Sequence, residues 1–387
     1  MRLRLLVTSL VLLLVSVGSI AVVVGIKVAS ATPTGRHATS TPPTPAPPLT
    51  QLPASSKPVV YLYYYLWWTP SHWAAKLGAK YPLTSSQPVP PGTMNAVGCN
   101  PQTRYPGATI VDLPQQGLYN QNQESVYELQ IQEAAQAGVT GFLASWQGTG
   151  TATETTRSSG YNERLALLVK AVDAYDQAHP QAPFHLGLAM SAFGNYSRPA
   201  SELVADLSYF SRTYGQNPAF RNQFSSHPIV VLMDSRKYSV GTVAAIWDAE
   251  HGGEYLVGDE TAASWPRDQP YLNATSYYWS SENPWTNGRA QSDIVALGAE
   301  VHASGKSWFS PFIPGYDKQL LGGSCVPRDG VATMQKVWAI NSASHPQGWF
   351  GISWNEFVEN TYLQPSLRYG AQYLAALGAL IQGSASG

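Results

Sequence analysis

Eight short apolar or aromatic runs recur along the chain from residue 59 onward, and helical patterns fill most of the intervals between them. The runs are Val59 to Trp67, Thr140 to Trp146, Phe184 to Met190, Ile229 to Met233, Tyr255 to Val257, Ser276 to Trp279, Trp308 to Ile313 and Trp349 to Trp354. Several are almost unbroken in apolar residues, as strands covered on both faces are. Helices are expected over Ser125 to Ala137, before Gly138, and over Asn162 to Ala178, before Pro180. Further ones are expected over Ser201 to Tyr214, Val240 to Glu250, Ala290 to Ala303, Val331 to Asn341 and Ser366 to Ile381. Strand and helix alternating this way predict an α/β fold, a (β/α)₈ TIM barrel. An open doubly wound sheet is the rival topology. Residues 59–387 suffice for one such domain, with no second linker and no internal repeat.

What precedes the barrel has a different character. Arg2 and Arg4 stand before an apolar run from Leu5 to about Ile26, and Ala29-Ser30-Ala31 has the form of a signal-cleavage site. Such a run is about the ~20 residues that cross a bilayer, and positive charge ahead of it directs the remainder outward. Residues 1–31 therefore read as a signal peptide or a retained transmembrane anchor, and both readings export the rest. Residues 32–58 are Pro, Thr, Ser and Ala with few large apolar side chains, which cannot bury enough surface to offset chain entropy. They read as an extended stalk. Cys99 and Cys325, in the exported part, can pair in an oxidising compartment. The protein is thus expected at the cell surface or outside the cell, touching a membrane only through its N-terminal segment.

Composition narrows the partners. Asp, Glu, Lys and Arg make up only 12% of the 387 residues, and the net charge is -1. The usual charged share is about a quarter, and no basic footprint for nucleic acid is present. Aromatics reach 11%, including 12 Trp and 22 Tyr. Flat side chains with a polar tip suit stacking on sugar rings, although they also build ordinary cores.

In a barrel of this kind the active site lies where the strands end, so the residues after each run matter most. The first run is followed by Trp67, Trp68 and His72, the second ends in Trp146, and the third is followed by Phe193, Asn195 and Tyr196. Asp234 follows the fourth, Asp259 and Glu260 the fifth, and Tyr277, Tyr278 and Trp279 lie at the sixth, before Glu282. Tyr316 and Asp317 follow the seventh; Asn355, Glu356 and Glu359 follow the eighth. Carboxylates and aromatics thus gather at one rim.

Two carboxylates with separated proton affinities are what glycoside hydrolysis requires. Glu356 and Glu359 can share that work if the chain turns after Trp354, because in a straight strand residues three apart face opposite ways. Two glutamates at this spacing are ordinarily a solvated helix face. A strand end, aromatic neighbours and a charge-poor chain argue for the other reading. His72 could equally be a structural histidine. No G-x-S-x-G elbow and no helical H-x-x-x-H pair occur, so a serine triad, a zinc site and a cofactor are not expected.

Four segments resemble glycoside hydrolase family 99, the endo-α-mannosidase and endo-α-mannanase family. They are YLYYYLWWTPSHW at 61–73, LYNQNQESVYELQIQEAAQAGVTGFLASWQG at 118–148, FIPGYD at 312–317 and SWNEFVENTYLQPS at 353–366. The last resembles that family's Asn-Glu-Trp-x-Glu-Gly-Thr motif most specifically. The resemblance implies a (β/α)₈ barrel and a retaining enzyme that cleaves within α-mannosyl chains. It implies that Glu356 is an ionised base on the sugar 2-hydroxyl, closing a 1,2-anhydro sugar. Glu359 would be the acid/base, its proton retained by burial and by its anionic neighbour. Phe357 and Val358 depart from the family's Trp and small or polar residue, Asn360 from its Gly and Gln364 from its later Glu. Ser191-Ala192-Phe193 stands where an acidic residue and an aromatic are usual.

The sequence therefore leads to an exported, monomeric glycoside hydrolase acting on an α-linked, α-mannosyl-type polysaccharide. Glu356 and Glu359 would do the chemistry. Trp67, Trp68, Trp146, Trp279 and Tyr316 are expected to wall the site, and His72, Asp234, Asp317 and Asn355 to contact the substrate. A non-catalytic carbohydrate-binding barrel, or a structural surface protein without a sugar site, are the alternatives.

Overall fold

The computed structural model describes residues 57–78, 99, 107–149, 160–190, 198–250 and 252–384. The N-terminal apolar segment, the stalk up to residue 56, and Phe193, Asn195 and Tyr196 lie outside the described residues. No helix among the described residues is long and apolar enough to cross a membrane.

In chain order the strands are β1 (Val60–Tyr65), β2 (Gly141–Trp146), β3 (His185–Met190), β4 (Ile229–Leu232), β5 (Tyr255–Asp259), β6 (Ala274–Ser276), β7 (Ser307–Phe312), β8 (Tyr316–Asp317), β9 (Cys325–Val326) and β10 (Gly348–Gly351). The helices are α1 (Pro70–Leu77), α2 (Glu124–Gln136), α3 (Tyr161–Ala178), α4 (Ala200–Tyr214), α5 (Val240–Glu250), α6 (Trp265–Asp268), α7 (Ala290–Ala303), α8 (Ala332–Ser342) and α9 (Gln372–Ser384). Eight strands close a parallel barrel in the order β1-β10-β7-β6-β5-β4-β3-β2, while β8 and β9 form a small antiparallel pair outside it. This is the (β/α)₈ barrel that the alternation predicts.

Side-chain alternation divides each strand between two cores. Tyr61 and Tyr63 of β1, Leu143 of β2, Val231 of β4, Val257 of β5 and Phe350 of β10 fill the barrel interior. Their neighbours Leu62, Tyr64, Phe142, Ala144 and Trp146 point outward and pack under the helices. The interior is aromatic: Phe309 stacks on Phe350 with centroids 4.5 Å apart. A third cluster under the rim joins Trp68, Trp73, Tyr119, Phe357 and Tyr362.

The short helix α6 and the β8–β9 pair are additions to the expected set, and three further elements differ from it. The sixth strand ends at Ser276, where the aromatic run was expected to begin, so Tyr277 to Trp279 belong to the loop beyond it. Helix α9 starts at Gln372, not at Ser366, because Ser366 bridges to Pro114 and to Gly370 and so closes a tight turn over Leu367, Arg368 and Tyr369 ahead of the helix. Helix α1 was not foreseen. Thr69 begins it, accepting a hydrogen bond from the His72 N–H, with Pro70 in the first turn, a favoured arrangement at a helix start. Cys99 and Cys325 are disulfide-bonded across 226 residues of chain.

Candidate active site

The site grows from the way the eighth barrel strand ends. Beyond Gly351 the chain stays beside β1: the Trp354 N–H donates to the Tyr63 carbonyl at 2.8 Å. Asn355 then pairs through its side chain. Its Oδ1 accepts from the Tyr65 N–H at 2.8 Å, and its Nδ2 donates to the Tyr65 carbonyl at 3.0 Å. An amide can imitate a strand neighbour in this way because it carries one acceptor and two donors. Trp68 Nε1 donates to the Asn355 carbonyl at 2.8 Å.

The chain next folds back on itself. The Ser353 hydroxyl accepts from the Glu356 N–H at 2.9 Å, and the Ser353 N–H donates to the Thr361 carbonyl at 2.8 Å. Asn360 takes φ +53° at the return, a left-handed conformation that Asn tolerates better than most residues. Its Nδ2 donates to the Asp317 carbonyl, while the Asp317 N–H donates to the Glu359 carbonyl at 2.8 Å. From the other side the buried Arg328 guanidinium donates to the carbonyls of Asn360 and Tyr362, both at 2.8 Å. It lies over the rings of Tyr362, Tyr369 and Tyr373. The loop is therefore held at both ends and along its back, and its two glutamates are left facing the mouth of the barrel.

Both glutamates line one cleft of about 580 Å³, and they differ in surroundings. Glu356 is only 3% exposed. Its Oε1 accepts from the Val358 N–H at 2.7 Å and from the Glu359 N–H at 3.3 Å. Burial, and then the neighbouring Glu359 carboxylate, nonetheless push its pKa up to about 8, against the opposing pull of those amides and of Lys318. Glu359 is more open and forms an ion pair with Lys318, Nζ to Oε1 2.8 Å. At neutral pH the free site thus places a proton on Glu356 and a lysine against Glu359. The family resemblance implies instead that Glu356 is ionised. Burial decides it: the first glutamate of the motif sits deeper than the second.

One wall of the cleft is a stack of rings. Tyr65 lies on Trp67 with centroids 4.4 Å apart, and Trp67 lies parallel to His72 at 5.7 Å. Burial, followed by Lys76 and Arg164, lowers the His72 pKa to about 4, so this imidazole is neutral at physiological pH. Tyr65 Oη and Tyr278 Oη share a hydrogen bond of 2.6 Å. The opposite wall carries a carboxylate network. Asp259 accepts from the N–H groups of Asp234 and Tyr278, both at 2.8 Å, and pairs with Arg236 at 2.7 Å. Asp234 in turn meets Arg236 at 2.6 Å and Lys237 at 2.9 Å. Asp259 ties the ends of β4, β5 and the segment after β6 together.

Of the residues singled out from sequence, Trp67, His72, Asp234, Glu356 and Glu359 meet in this cleft. The others do not line it. Trp146 shares the outward parity of Phe142 and Ala144 and donates its indole N–H to Asn162 at 2.7 Å. Trp279 packs outward with Tyr277, and it is Tyr278 that points to the barrel axis. Trp68 is fully buried against Trp73 at 3.8 Å. Asn355 is spent on pairing with β1. Tyr316 is buried next to Glu359, and Asp317 braces the loop through its backbone while its Oδ1 accepts from the Gln319 N–H. The cleft also contains Asp259 and Tyr278, which the sequence places at the rim without a role, and Tyr65, Lys76, Lys237 and Lys318, which it does not single out. A lysine beside a strand end in a chain this poor in charge was the available signal for Lys318. No group of three or more His, Cys, Asp or Glu among the described residues is arranged to hold a metal ion.

No protein-family model matches this chain, and no curated protein matches it. Solved structures do. The GH99 endo-α-mannosidase from Bacteroides thetaiotaomicron is similar with a TM-score of 0.64 at 17% identity, over 84% of this chain and 97% of that one. A second structure of it, in complex with bis-tris-propane, gives 0.63 at 16%, over 85% and 98%. A glycoside hydrolase-like protein gives 0.58 at 10% identity, over 87% of this chain and 97% of that one. At such identities the likeness is one of fold, and it extends over nearly the whole of each compared chain.

Proposed function

We propose that this chain is a glycoside hydrolase acting on an α-linked polysaccharide, with α-mannosyl linkages the first to test. The observation that carries the reading is the pair of glutamates in one aromatic-walled cleft, one holding a proton near neutrality and the other set against a lysine. An acid that can protonate a departing oxygen needs its proton at working pH, which Glu356 has. A base or nucleophile needs to be held in place, and the Lys318 contact does that for Glu359. Glu356 is accordingly the general acid, and Glu359 is the group that acts on the sugar or on water. The wall of Tyr65, Trp67 and His72 gives a sugar ring a flat face to lie on. The solved structures of similar fold, described as GH99 endo-α-mannosidase, support the choice of linkage and an endo cleavage.

Export belongs to the same proposal. It rests on the arginine-flanked apolar segment at the N-terminus and agrees with the Cys99–Cys325 disulfide, since such bonds persist in oxidising compartments.

The test compares two substrates. An α-mannan requires protonation of its leaving group; α-mannobiosyl fluoride does not. Glu356→Gln is expected to lose roughly 10²- to 10⁴-fold on the mannan, the usual worth of a general acid, and far less on the fluoride. Glu359→Gln is expected to lose activity on both. The opposite pattern would return the roles to those of the family resemblance. Wild-type rates in both variants, or no reducing ends from any α-glycan with the wild type, would refute the reading.

A further inference from the structure

Among the described residues three lysines line the cleft, and they are not equivalent. Lys318 is paired with Glu359 and Lys237 with Asp234. The arginine behind the wall, Arg236, is shared between Asp234 and Asp259. Glu356, the remaining carboxyl, holds its proton near neutrality. Lys76 has no carboxylate, and no side-chain hydrogen bond, among the described residues. The cleft's positive charge is therefore matched everywhere except at one place.

That place is built. Thr69 and Pro70 start α1 so that His72 and Lys76, four residues apart, share one face of the helix. That face turns toward the cleft: His72 stacks on Trp67, and Lys76 lies one turn further on, half-buried. Trp73 and Leu77, on the other side of the same helix, are buried and anchor it. The His72 Nε2 is buried and has no partner among the described residues. Since its ring is neutral, it can donate or accept there without adding a second charge. A lysine in the last turn of a helix also opposes the helix dipole, but that role is met by a side chain pointing into solvent and does not require one lining a cleft.

We propose that the end of the cleft bounded by Trp67, His72 and Lys76 is a subsite for a sugar unit carrying an anionic substituent, a carboxylate or a phosphate ester. The inference rests on reading the cleft as a glycan site. It adds that the polysaccharide is acidic. Trp67 supports the ring, and Lys76 supplies the countercharge through a charge-assisted hydrogen bond. In a recessed cleft such a charge is screened less than on an open surface.

Binding is read on the full chain carrying Glu356→Gln, so that turnover plays no part. The probes are α-mannobiose, its 6-phosphate and the corresponding 6-carboxylate, measured by calorimetry. At least one charged probe is expected to bind about tenfold or more tightly than the neutral disaccharide, and which one does identifies the group. Adding Lys76→Gln should abolish that preference and leave neutral binding within about twofold. Raising the salt should weaken the charged probe alone. Equal binding of all three, no binding of either charged probe, or a preference that survives Lys76→Gln would overturn the proposal. The hydrolysis reading fails differently, through absent release of reducing ends by the wild type, so the two failures are distinguishable.

Discussion

Lys318 reaches the Glu359 carboxylate at 2.8 Å from the strand pair outside the barrel, and it does so beside a second glutamate that is more deeply buried. One lysine thereby acts on both carboxyls. It is the direct ion partner of Glu359, and it also pulls the Glu356 pKa down against the larger effects of burial and of Glu359 itself.

The pH dependence of cleavage follows from that arrangement. Glu356 must be protonated to serve as the acid, so activity should fall as pH rises through about 8, the value its surroundings set. Lys318→Met removes a positive charge that favours the ionised form. The Glu356 pKa then rises, and the alkaline limb of the pH–kcat/KM profile should move to higher pH even as the rate drops. A limb that stays in place, or moves to lower pH, would contradict the assignment of the proton to Glu356.

Two tryptophans that look alike in sequence should behave in opposite ways. Trp67 is half-exposed on the cleft wall, while Trp146 is fully buried under the helices. Trp67→Ala should weaken glycan binding by a large factor at a smaller cost in stability than Trp146→Ala, since a stacking platform contributes about 0.5–1.5 kcal/mol beyond its area. Trp146→Ala should cost about 3–5 kcal/mol of stability through the cavity it leaves, with KM little changed in whatever fraction remains folded. Urea denaturation alongside titration with α-mannobiose separates the two effects.

Arg328 should be needed for the loop as much as for the fold. Its guanidinium serves two buried carbonyls and three tyrosine faces. Arg328→Met leaves the Asn360 and Tyr362 carbonyls without that donor, at a cost of roughly 1–3 kcal/mol for each buried group left unsatisfied. Arg328→Lys should recover only part: an ammonium can replace the single Nη2 that serves both carbonyls, but not the flat guanidinium that lies over the three tyrosine rings. A lower urea midpoint with reduced kcat in both variants is the expected result. A variant as stable and as active as the wild type would show that the loop is held by other contacts.

How much of this was readable beforehand can be judged residue by residue. The barrel was legible because its strands are short, nearly unbroken apolar runs separated by helical patterns, a signal local in the chain. Glu356 and Glu359 were legible because they follow the last run directly, where strand ends carry the site. Trp146 takes the outward face of β2, while Trp279 and Trp68 stand beyond their strands and pack outward or under the rim, so none of the three lines the cleft. Side chains alternate between the faces of a strand, and a shift of one position exchanges inside for outside. Composition marks a tryptophan near a strand end; it does not say which way the ring points. Lys318 and Asp259 were passed over as site residues because their importance comes from partners 41 and 19–25 residues away.

By itself, then, the amino-acid order determined the eight-fold alternation, and with it the barrel and the end of it at which chemistry would lie, because these depend on periodicities within short windows. Which rings form the wall, which cleft lysine has no carboxylate among the described residues and which glutamate is the more deeply buried were decided only in three dimensions. Each depends on burial and on charges brought together from separate strands, and no local stretch of sequence contains those distances.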